Sequence, residues 1–102
     1  MPYHKICHTN DVEEGHGKKF VVEGQEIAVF KIENKFYAIG NICSHAGGDL
    51  SEGIVENKEV TCPLHAWKFS LEDGSCKMFD GAPGVKNYQI VSESGEVLVY
   101  IE

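Results

Sequence analysis

The hydrophobic positions of this chain occur in short runs separated by turn-forming residues, which is the pattern of an all-β protein. The runs are rich in Val, Ile, Phe and Tyr, which favour strands, and Gly, Asn, Asp and Pro bound them. Short connections favour an antiparallel sandwich or barrel. The strands predicted from the pattern are Tyr3–Cys7, Lys19–Val22, Gln25–Ile32, Lys35–Gly40, Gly53–Val55, Glu59–Cys62, Lys68–Leu71, Ser75–Met78, Tyr88–Val91 and Glu96–Ile101.

Local signals predict how several of these strands are joined. Glu33-Asn34 and Ser94-Gly95 are predicted hairpin turns, because Asn and Gly tolerate positive φ. Thr9–Glu14 is predicted to form one helical turn, with Thr9 or Asn10 as its cap and two glutamates near its positive end. The last strand is expected to pair with the first.

Length limits what the chain can contain. With 102 residues it is expected to form one domain, residues 1–102, with one core and one site. Its first ten residues lack the apolar segment of a signal peptide, and its longest apolar run, Val97–Ile101, is far too short to cross a membrane. We therefore expect a cytoplasmic protein.

Charge narrows the choice of partners. Sixteen acidic residues exceed nine basic ones, so the formal net charge is −7 at pH 7. Nucleic acids and anionic membrane surfaces would repel such a protein. A protein partner with a basic face is expected instead.

Two short segments each combine a thiol with an imidazole. Cys43 and His45 are separated by one residue, Cys62 and His65 by two, and sixteen residues lie between the pairs. Cys and His together suit zinc or iron, whereas calcium and magnesium prefer oxygen ligands. The spacing predicts a metal site built from two loops.

Ligand chemistry leaves two kinds of metal centre open. Common zinc fingers group two cysteines on one turn and two histidines on another, whereas each pair in this chain is mixed. Mixed pairs suit a [2Fe-2S] cluster in which two thiolates hold one iron and two imidazoles hold the other. A mononuclear zinc site with the same four ligands is the alternative.

The two segments resemble the signature of the Rieske proteins, C-x-H followed about sixteen residues later by C-x-x-H, and Pro63 stands at the usual position after the second cysteine. The resemblance implies the Rieske fold, a small antiparallel β-sandwich or barrel with a cluster-binding part of two loops at about 41–84. It also implies one [2Fe-2S] cluster per chain. Its ligands would be Cys43, His45, Cys62 and His65.

Other residues are expected to surround this cluster. Two adjacent glycines at 47 and 48 would let the backbone pass close to the cluster, although an ordinary turn is the alternative. In Rieske proteins a proline-containing loop covers the cluster, and Pro83 matches that position, with a surface turn as the alternative. The expected cluster-binding residues are Gly47, Gly48, Ala66, Trp67 and Pro83.

The resemblance also implies a function. The chain is similar to the Rieske-type ferredoxins that pass one electron from an NAD(P)H-dependent flavin reductase to the terminal oxygenase of a ring-hydroxylating system. A small Rieske subunit of an NAD(P)H-dependent nitrite reductase is the main alternative, and a structural zinc module is a third. We expect an electron carrier that is not itself an enzyme and is monomeric when free, with Cys7 and Cys76 as reduced thiols outside the site.

Overall fold

The computed structural model describes residues 3–43, 48–64, 67–78 and 81–101, and its fold in these ranges is built from β-strands. Two single-turn 3₁₀ helices, Thr9–Asp11 and Leu50–Glu52, accompany them. The strands are β1 (Tyr3–His8), β2 (Gly17–Val22), β3 (Gln25–Ile32), β4 (Lys35–Gly40), β5 (Ile54–Glu56), β6 (Glu59–Thr61), β7 (Lys68–Ser70), β8 (Asn87–Tyr88), β9 (Ile90–Glu93) and β10 (Glu96–Tyr100). No helix in these ranges is long and apolar enough to cross a membrane.

The strands form three antiparallel sheets, with the orders β1-β10-β9, β2-β3-β4-β8 and β5-β6-β7. The predicted all-β antiparallel architecture is therefore confirmed. The predicted pairing of first and last strands is confirmed too, since Tyr3 lies opposite Tyr100 and His8 opposite Glu96.

Strand β3 contributes side chains to both hydrophobic cores, because both of its faces are buried. Side chains alternate across a strand, and Ile27 and Val29 enter one hydrophobic core while Ala28 and Phe30 enter another. The first core also contains the buried residues Cys7, Val12, Ala38, Tyr88, Val97, Val99 and Ile101. The second also contains Ile39, Cys43, Leu50, Val60, Cys62, Phe69 and Leu71. The two predicted thiolate ligands thus belong to the second core.

The predicted hairpin turns form as expected. Glu33 and Asn34 have φ angles of 51° and 64°, and Ser94 and Gly95 have 51° and 80°. Two successive positive φ angles match the twist of the flanking strands, which explains why each turn reverses the chain within two residues.

The predicted helical turn at Thr9–Glu14 is wrong in its cap and its extent. The turn ends at Asp11, and His8 is its cap residue, with its N–H donating to Asp11 Oδ2 at 2.9 Å. The Glu14 carboxylate instead accepts hydrogen bonds from the amides of Glu33 and Asn34. This carboxylate therefore braces the β3–β4 turn, a contact between residues far apart in sequence.

Two strand predictions were also wrong. Ser75–Met78 is not a strand, although it does return along β7: Cys76 bridges Phe69, and the Ser70 and Lys77 amides donate to the Ser75 and Lys68 carbonyls at 2.8 Å. The predicted strand Tyr88–Val91 is two strands in different sheets, since β8 pairs with β4 and β9 with β10.

Candidate metal centre

The two predicted cysteine ligands begin loops that are closed in the same way. The Cys43 amide donates to the carbonyl of Gly48 at 2.8 Å, and the Cys62 amide donates to the carbonyl of Trp67 at 2.7 Å. Each bond spans five residues, and each loop contains one predicted histidine ligand in its sequence. The chain therefore builds two loops of equal length, one following β4 and one following β6.

Both thiols are shielded from solvent. Cys43 is 2% exposed and Cys62 is 1% exposed, and both pack in the second core with Phe69. Phe69 lies in β7, directly opposite Val60 in β6. The two thiols therefore pack in the core to which the β5-β6-β7 sheet contributes Val60 and Phe69.

Gly48 brings the two loops into contact. A Cβ atom at this position would lie 3.2 Å from Cys62 Sγ and 3.0 Å from Leu64 Cγ. The first loop therefore approaches the second through backbone atoms, which only glycine allows without displacement. The expected approach of the glycine pair to a cluster stays a prediction.

The base of the first loop is fixed by backbone and side-chain hydrogen bonds. Ile42 bridges Asp49, and the Leu50 amide donates to the Asn41 carbonyl at 2.7 Å. The Ser51 amide donates to Asn41 Oδ1 at 3.0 Å. Sequence reasoning missed Asn41, because an isolated asparagine after a strand has no pattern that separates it from an ordinary turn residue.

The segment that contains Pro83 is attached to the turn after β7. The Val85 amide donates to the Gly74 carbonyl at 2.8 Å, and a Cβ atom on Gly84 would lie 2.5 Å from that same oxygen. Pro83 itself is exposed. Close backbone packing therefore fixes where this segment joins the protein.

The described structure brings together part of the predicted site. Cys43, Cys62 and Gly48 lie close to one another, and Trp67 is half-buried against the same core. Four of the predicted residues, His45, Gly47, His65 and Ala66, lie outside the described residues. Within the described ranges no group of three or more His, Cys, Asp or Glu side chains could hold a metal ion.

The remaining two cysteines lie outside these loops in sequence, Cys7 in the first core and Cys76 against the second. Cys7 is buried in the first core, and burial, with the nearby Asp11 carboxylate, raises the pKa of its thiol. A thiol with a raised pKa is mostly protonated at neutral pH and is a poor nucleophile and a poor ligand. Cys76 is half-buried beside Phe69. That Cys7 and Cys76 lie outside the metal site stays a prediction.

The residues present fit a thiolate-bound metal centre. Two buried sulfur atoms on adjoining loops supply soft donors, and the sequence of each loop adds one imidazole. Thiolates and imidazoles are the ligands of a Rieske-type [2Fe-2S] cluster. Because residue 48 is glycine, it has no side chain to fill the space beside Cys62 Sγ.

An exposed apolar groove lies beside the second loop. Its volume is ≈ 430 Å³, and its lining includes Glu52, Ile54, Pro63 and Leu64 as well as Cys62. Ile54 is 74% exposed and Leu64 is 58% exposed, which is unusual for large apolar side chains so close together.

The sequence of this chain is similar to those of known proteins along most of its length. The profile of the Rieske [2Fe-2S] domain matches residues 2–89. The chain is 31% identical over 90 residues to the ferredoxin component of the naphthalene 1,2-dioxygenase system of Pseudomonas putida, covering 88% of this chain and 86% of that protein. It is 32% identical over 102 residues to the ferredoxin component of biphenyl 2,3-dioxygenase of Rhodococcus jostii strain RHA1, covering 100% and 95%.

Solved structures of similar proteins share the whole fold. The ferredoxin of carbazole 1,9a-dioxygenase from Nocardioides aromaticivorans IC177 matches with a TM-score of 0.93 and 28% identity over 100% of both chains. A ferredoxin in complex with the carbazole 1,9a-dioxygenase oxygenase matches with a TM-score of 0.89 and 25% identity, covering 99% of this chain and 94% of that one. A protein described as an NADPH nitrite reductase small subunit matches with a TM-score of 0.87 and 26% identity, covering 97% and 98%.

Proposed function

Because this chain belongs to the Rieske [2Fe-2S] family, we propose that it is a ferredoxin that carries single electrons from an NAD(P)H-dependent flavin reductase to the terminal oxygenase of a ring-hydroxylating system. The observation that supports this most directly is similarity along nearly the whole chain to ferredoxin components of dioxygenase systems. These relatives are carriers within multi-component systems and are not the catalytic oxygenases. The proposed role is therefore electron transfer without catalysis.

In this proposal residues 1–102 form one domain, with a cluster-binding part at about 41–84. Cys43 and Cys62 hold one iron, and His45 and His65 hold the other. When bound, the cluster supplies reversible one-electron redox chemistry. The residues proposed to surround it are Gly47, Gly48, Ala66, Trp67 and Pro83.

The protein residues keep water away from the sulfur ligands and fix their spacing. Phe69 and the other members of the second core cover Cys43 and Cys62 from the protein side. A dry setting with fixed dipoles reduces the rearrangement that accompanies a change of charge. The same packing closes the protein side of the two sulfur atoms to solvent.

The apolar groove beside the second loop is the surface that we propose the terminal oxygenase covers. Ile54 and Leu64 offer exposed apolar area, and the groove is continuous with the loop that carries Cys62. Glu52 lines its edge, so a basic residue of the oxygenase would complement it. The complex of a similar ferredoxin with its oxygenase supports this choice of occupant.

We propose that the reductase is attracted to the acidic surface of this protein by a basic surface of its own. Asp49 and Glu52 follow the first ligand loop in the sequence, and the net charge of −7 favours a reductase whose contact surface is basic. We also propose that the free protein is monomeric. A cytoplasmic location is proposed because Cys7 and Cys76 are thiols and a thiolate-bound cluster suits a reducing compartment.

The alternative role is a small Rieske subunit of a nitrite reductase. Its support is the fold shared with proteins of that description over almost their whole length. Gene context separates the two roles, because neighbouring genes for oxygenase subunits favour the ferredoxin role and a sirohaem reductase gene favours the alternative.

Spectroscopy of the purified protein and its cysteine variants tests the metal centre. The wild type should show the visible spectrum and reduced-state EPR signal of a Rieske cluster, and Cys43→Ala or Cys62→Ala should lose or replace it. Cys7→Ala and Cys76→Ala make the same substitution outside the loops and should keep it. A colourless zinc-containing wild type, or a Cys43→Ala variant with the native spectrum, would contradict the proposal.

A further inference from the structure

We infer that Asn41, a fully buried residue between β4 and Cys43, is a positioning residue that holds the first ligand loop in its cluster-binding shape. The inference rests on the proposed function, because it concerns the loop that carries Cys43. It assigns a role to a polar side chain that the ligand set does not include.

Among the described residues, four hydrogen bonds join Asn41 to its surroundings. Its backbone N–H donates to the Glu26 carbonyl at 3.1 Å, and its carbonyl accepts the Leu50 amide at 2.7 Å. Its side-chain Oδ1 accepts the Ser51 amide at 3.0 Å, and its Nδ2 donates to Glu26 Oε1 at 3.2 Å. One residue therefore ties the start of the loop segment to its end, and both to β3.

The chemistry of the neighbours requires a carboxamide at this position. Ser51 offers an N–H, so the atom facing it must be an acceptor, while the Glu26 carboxylate needs a donor. An aspartate would place two carboxylates side by side, and an alanine would leave the buried Ser51 amide without its acceptor, which costs free energy. Asparagine satisfies both neighbours at once.

The groups that Asn41 joins are themselves fixed. A Cβ atom on Gly17 in β2 would lie 2.9 Å from the Ser51 carbonyl oxygen, so this turn packs directly on the β2 backbone. Glu26 also lies 3.9 Å from the Lys19 ammonium group in an ion pair. Asn41 therefore connects the loop segment to β3 directly and to β2 through the turn at Ser51.

Loss of this connection should act on the site through Cys43. That residue lies two positions after Asn41, is 2% exposed, and closes the loop through Gly48. If residues 41 and 51 separate, water gains access to the Cys43 sulfur. Water stabilises the added negative charge of a reduced centre, so the reduction potential should rise, and the metal should leave more readily.

Iron release from the holoprotein to a chelator tests the inference, together with the reduction potential and the EPR line shape. Residues that orient metal ligands change affinity by about 10–100-fold when they are replaced. Asn41→Ala should therefore release iron about tenfold faster or more, with a higher potential. Asn87→Ala is the matched control, because it removes the Asn87–Glu72 hydrogen bond at an exposed position outside the loops.

Reversal of the hydrogen bond gives a second test that does not depend on Asn41→Ala folding. Asn41→Asp alone should release iron quickly, because it places two carboxylates side by side. Asn41→Asp combined with Glu26→Gln should recover most of the wild-type rate, because the new amide at position 26 can donate to the new carboxylate at position 41. Glu26→Gln alone should resemble the wild type.

Two results would overturn the inference. One is equal release rates and potentials in Asn41→Ala and Asn87→Ala, and the other is no recovery in the double variant. A wild type without a Rieske spectrum would instead overturn the proposed function.

Discussion

Gly48 and Cys62 are in direct contact: a Cβ atom on Gly48 would lie 3.2 Å from the Cys62 sulfur, closer than a side-chain carbon ordinarily approaches. The two residues belong to different ligand loops, so this contact sets the separation of the loops. The spacing of the ligands thus depends on the absence of a side chain as well as on the ligands themselves.

Gly48→Ala should disturb the metal centre. Its methyl group would meet Cys62 Sγ and two carbon atoms of Leu64 at 3.0–3.2 Å, so the loops must move apart by a few tenths of an ångström. We expect a changed EPR line shape and faster iron loss. Gly40→Ala is the control, because its methyl group would meet its neighbours at 3.6 Å or more. Identical spectra for the two variants would contradict this reading of the contact.

Cysteines at positions 48 and 64 should form a disulfide. A Cβ atom on residue 48 would lie 3.0 Å from Leu64 Cγ, so side chains at the two positions would touch. A disulfide requires such proximity, with Cβ atoms roughly 3.5–4.5 Å apart. The resemblance to Rieske proteins implies the same proximity, because their respiratory-complex members carry a disulfide at the positions that match residues 48 and 64. Oxidised Gly48→Cys/Leu64→Cys protein should lose two free thiols in a mass-spectrometric alkylation assay. Full alkylation without reductant would show that the two positions do not meet.

Salt should slow reduction of the protein by its reductase. At about 0.5 M ionic strength the Debye length is under about 5 Å, so attraction to a basic face is screened. Asp49→Asn/Glu52→Gln should have a lower rate at low salt and a weaker salt dependence, as measured by stopped-flow reduction. Glu23→Gln/Glu93→Gln removes the same charge from two exposed turn and strand positions and should behave like the wild type. Wild-type rates that do not change with salt would contradict electrostatic steering.

The reduction potential should lie near the low end of the Rieske range, on the order of −150 mV. Hydroxyl donors raise the potential in the respiratory-complex proteins, and the matching positions in this chain are Trp67 and Phe69. Phe69 is fully buried in the core that contains Cys43 and Cys62. A wild-type potential above about +200 mV by protein-film voltammetry would contradict the low-potential assignment.

Phe69→Tyr should raise this potential by some tens of millivolts, and at most by roughly 100 mV. A hydrogen bond to a charged group contributes roughly 1.5–3 kcal/mol, of which only part differs between oxidation states, and about 1.4 kcal/mol corresponds to about 59 mV for one electron. Phe36→Tyr, beside the other core, should leave the potential unchanged. An unchanged potential in Phe69→Tyr with an intact cluster would show that the hydroxyl does not reach a sulfur atom.

Acid should weaken the turn that holds the Pro83 segment. Asp73 Oδ1 accepts the Ser75 hydroxyl at 2.7 Å and the Ser75 amide at 2.9 Å, and these bonds lower the pKa of the Asp73 carboxyl. Because the folded-state pKa is below the unfolded value of about 3.9, this stabilisation is present above about pH 4 and is lost as the pH falls through the folded-state pKa.

Asp73→Ala should therefore lower the free energy of unfolding at pH 7 by less than about 1 kcal/mol, because these hydrogen bonds are exposed to solvent. The difference between variant and wild type should shrink in the acid range, as measured by urea unfolding at a series of pH values. A difference that is the same at pH 7 and at about pH 2.5 would contradict the role of the ionised carboxylate.

Sequence reasoning predicted most strands because their signals are local. The apolar run Ile27–Phe30 and the turn residues at 33–34 and 94–95 are sufficient to define β3 and two hairpins. The cysteine and histidine spacing predicted the two loops for a similar reason, since ligand identity and separation are visible in the chain. The described cysteines do lie on adjoining loops in one core.

The errors arose where a distant contact decides the local structure. Glu14 was assigned to a helical turn because its partners, the amides at 33 and 34, are nineteen and twenty residues away. The run at 88–91 looked continuous because sequence does not reveal that Tyr88 pairs with Ala38 while Val91 pairs with Leu98. Asn41 was missed for the same reason, because the hydrogen-bonding partners of its side chain are at positions 26 and 51.

The pairing of β1 with β10 has a consequence for synthesis in the cell. Residues 3–8 emerge from the ribosome before the ligand loops, yet their hydrogen-bonding partners, residues 96–100, emerge after them. Both ligand loops and the β5-β6-β7 sheet are complete before then. Closing so long a stretch of chain carries an entropic cost that slows folding. The nascent chain must therefore leave β1 without its partner until β10 is released, although both ligand loops have left the ribosome by then.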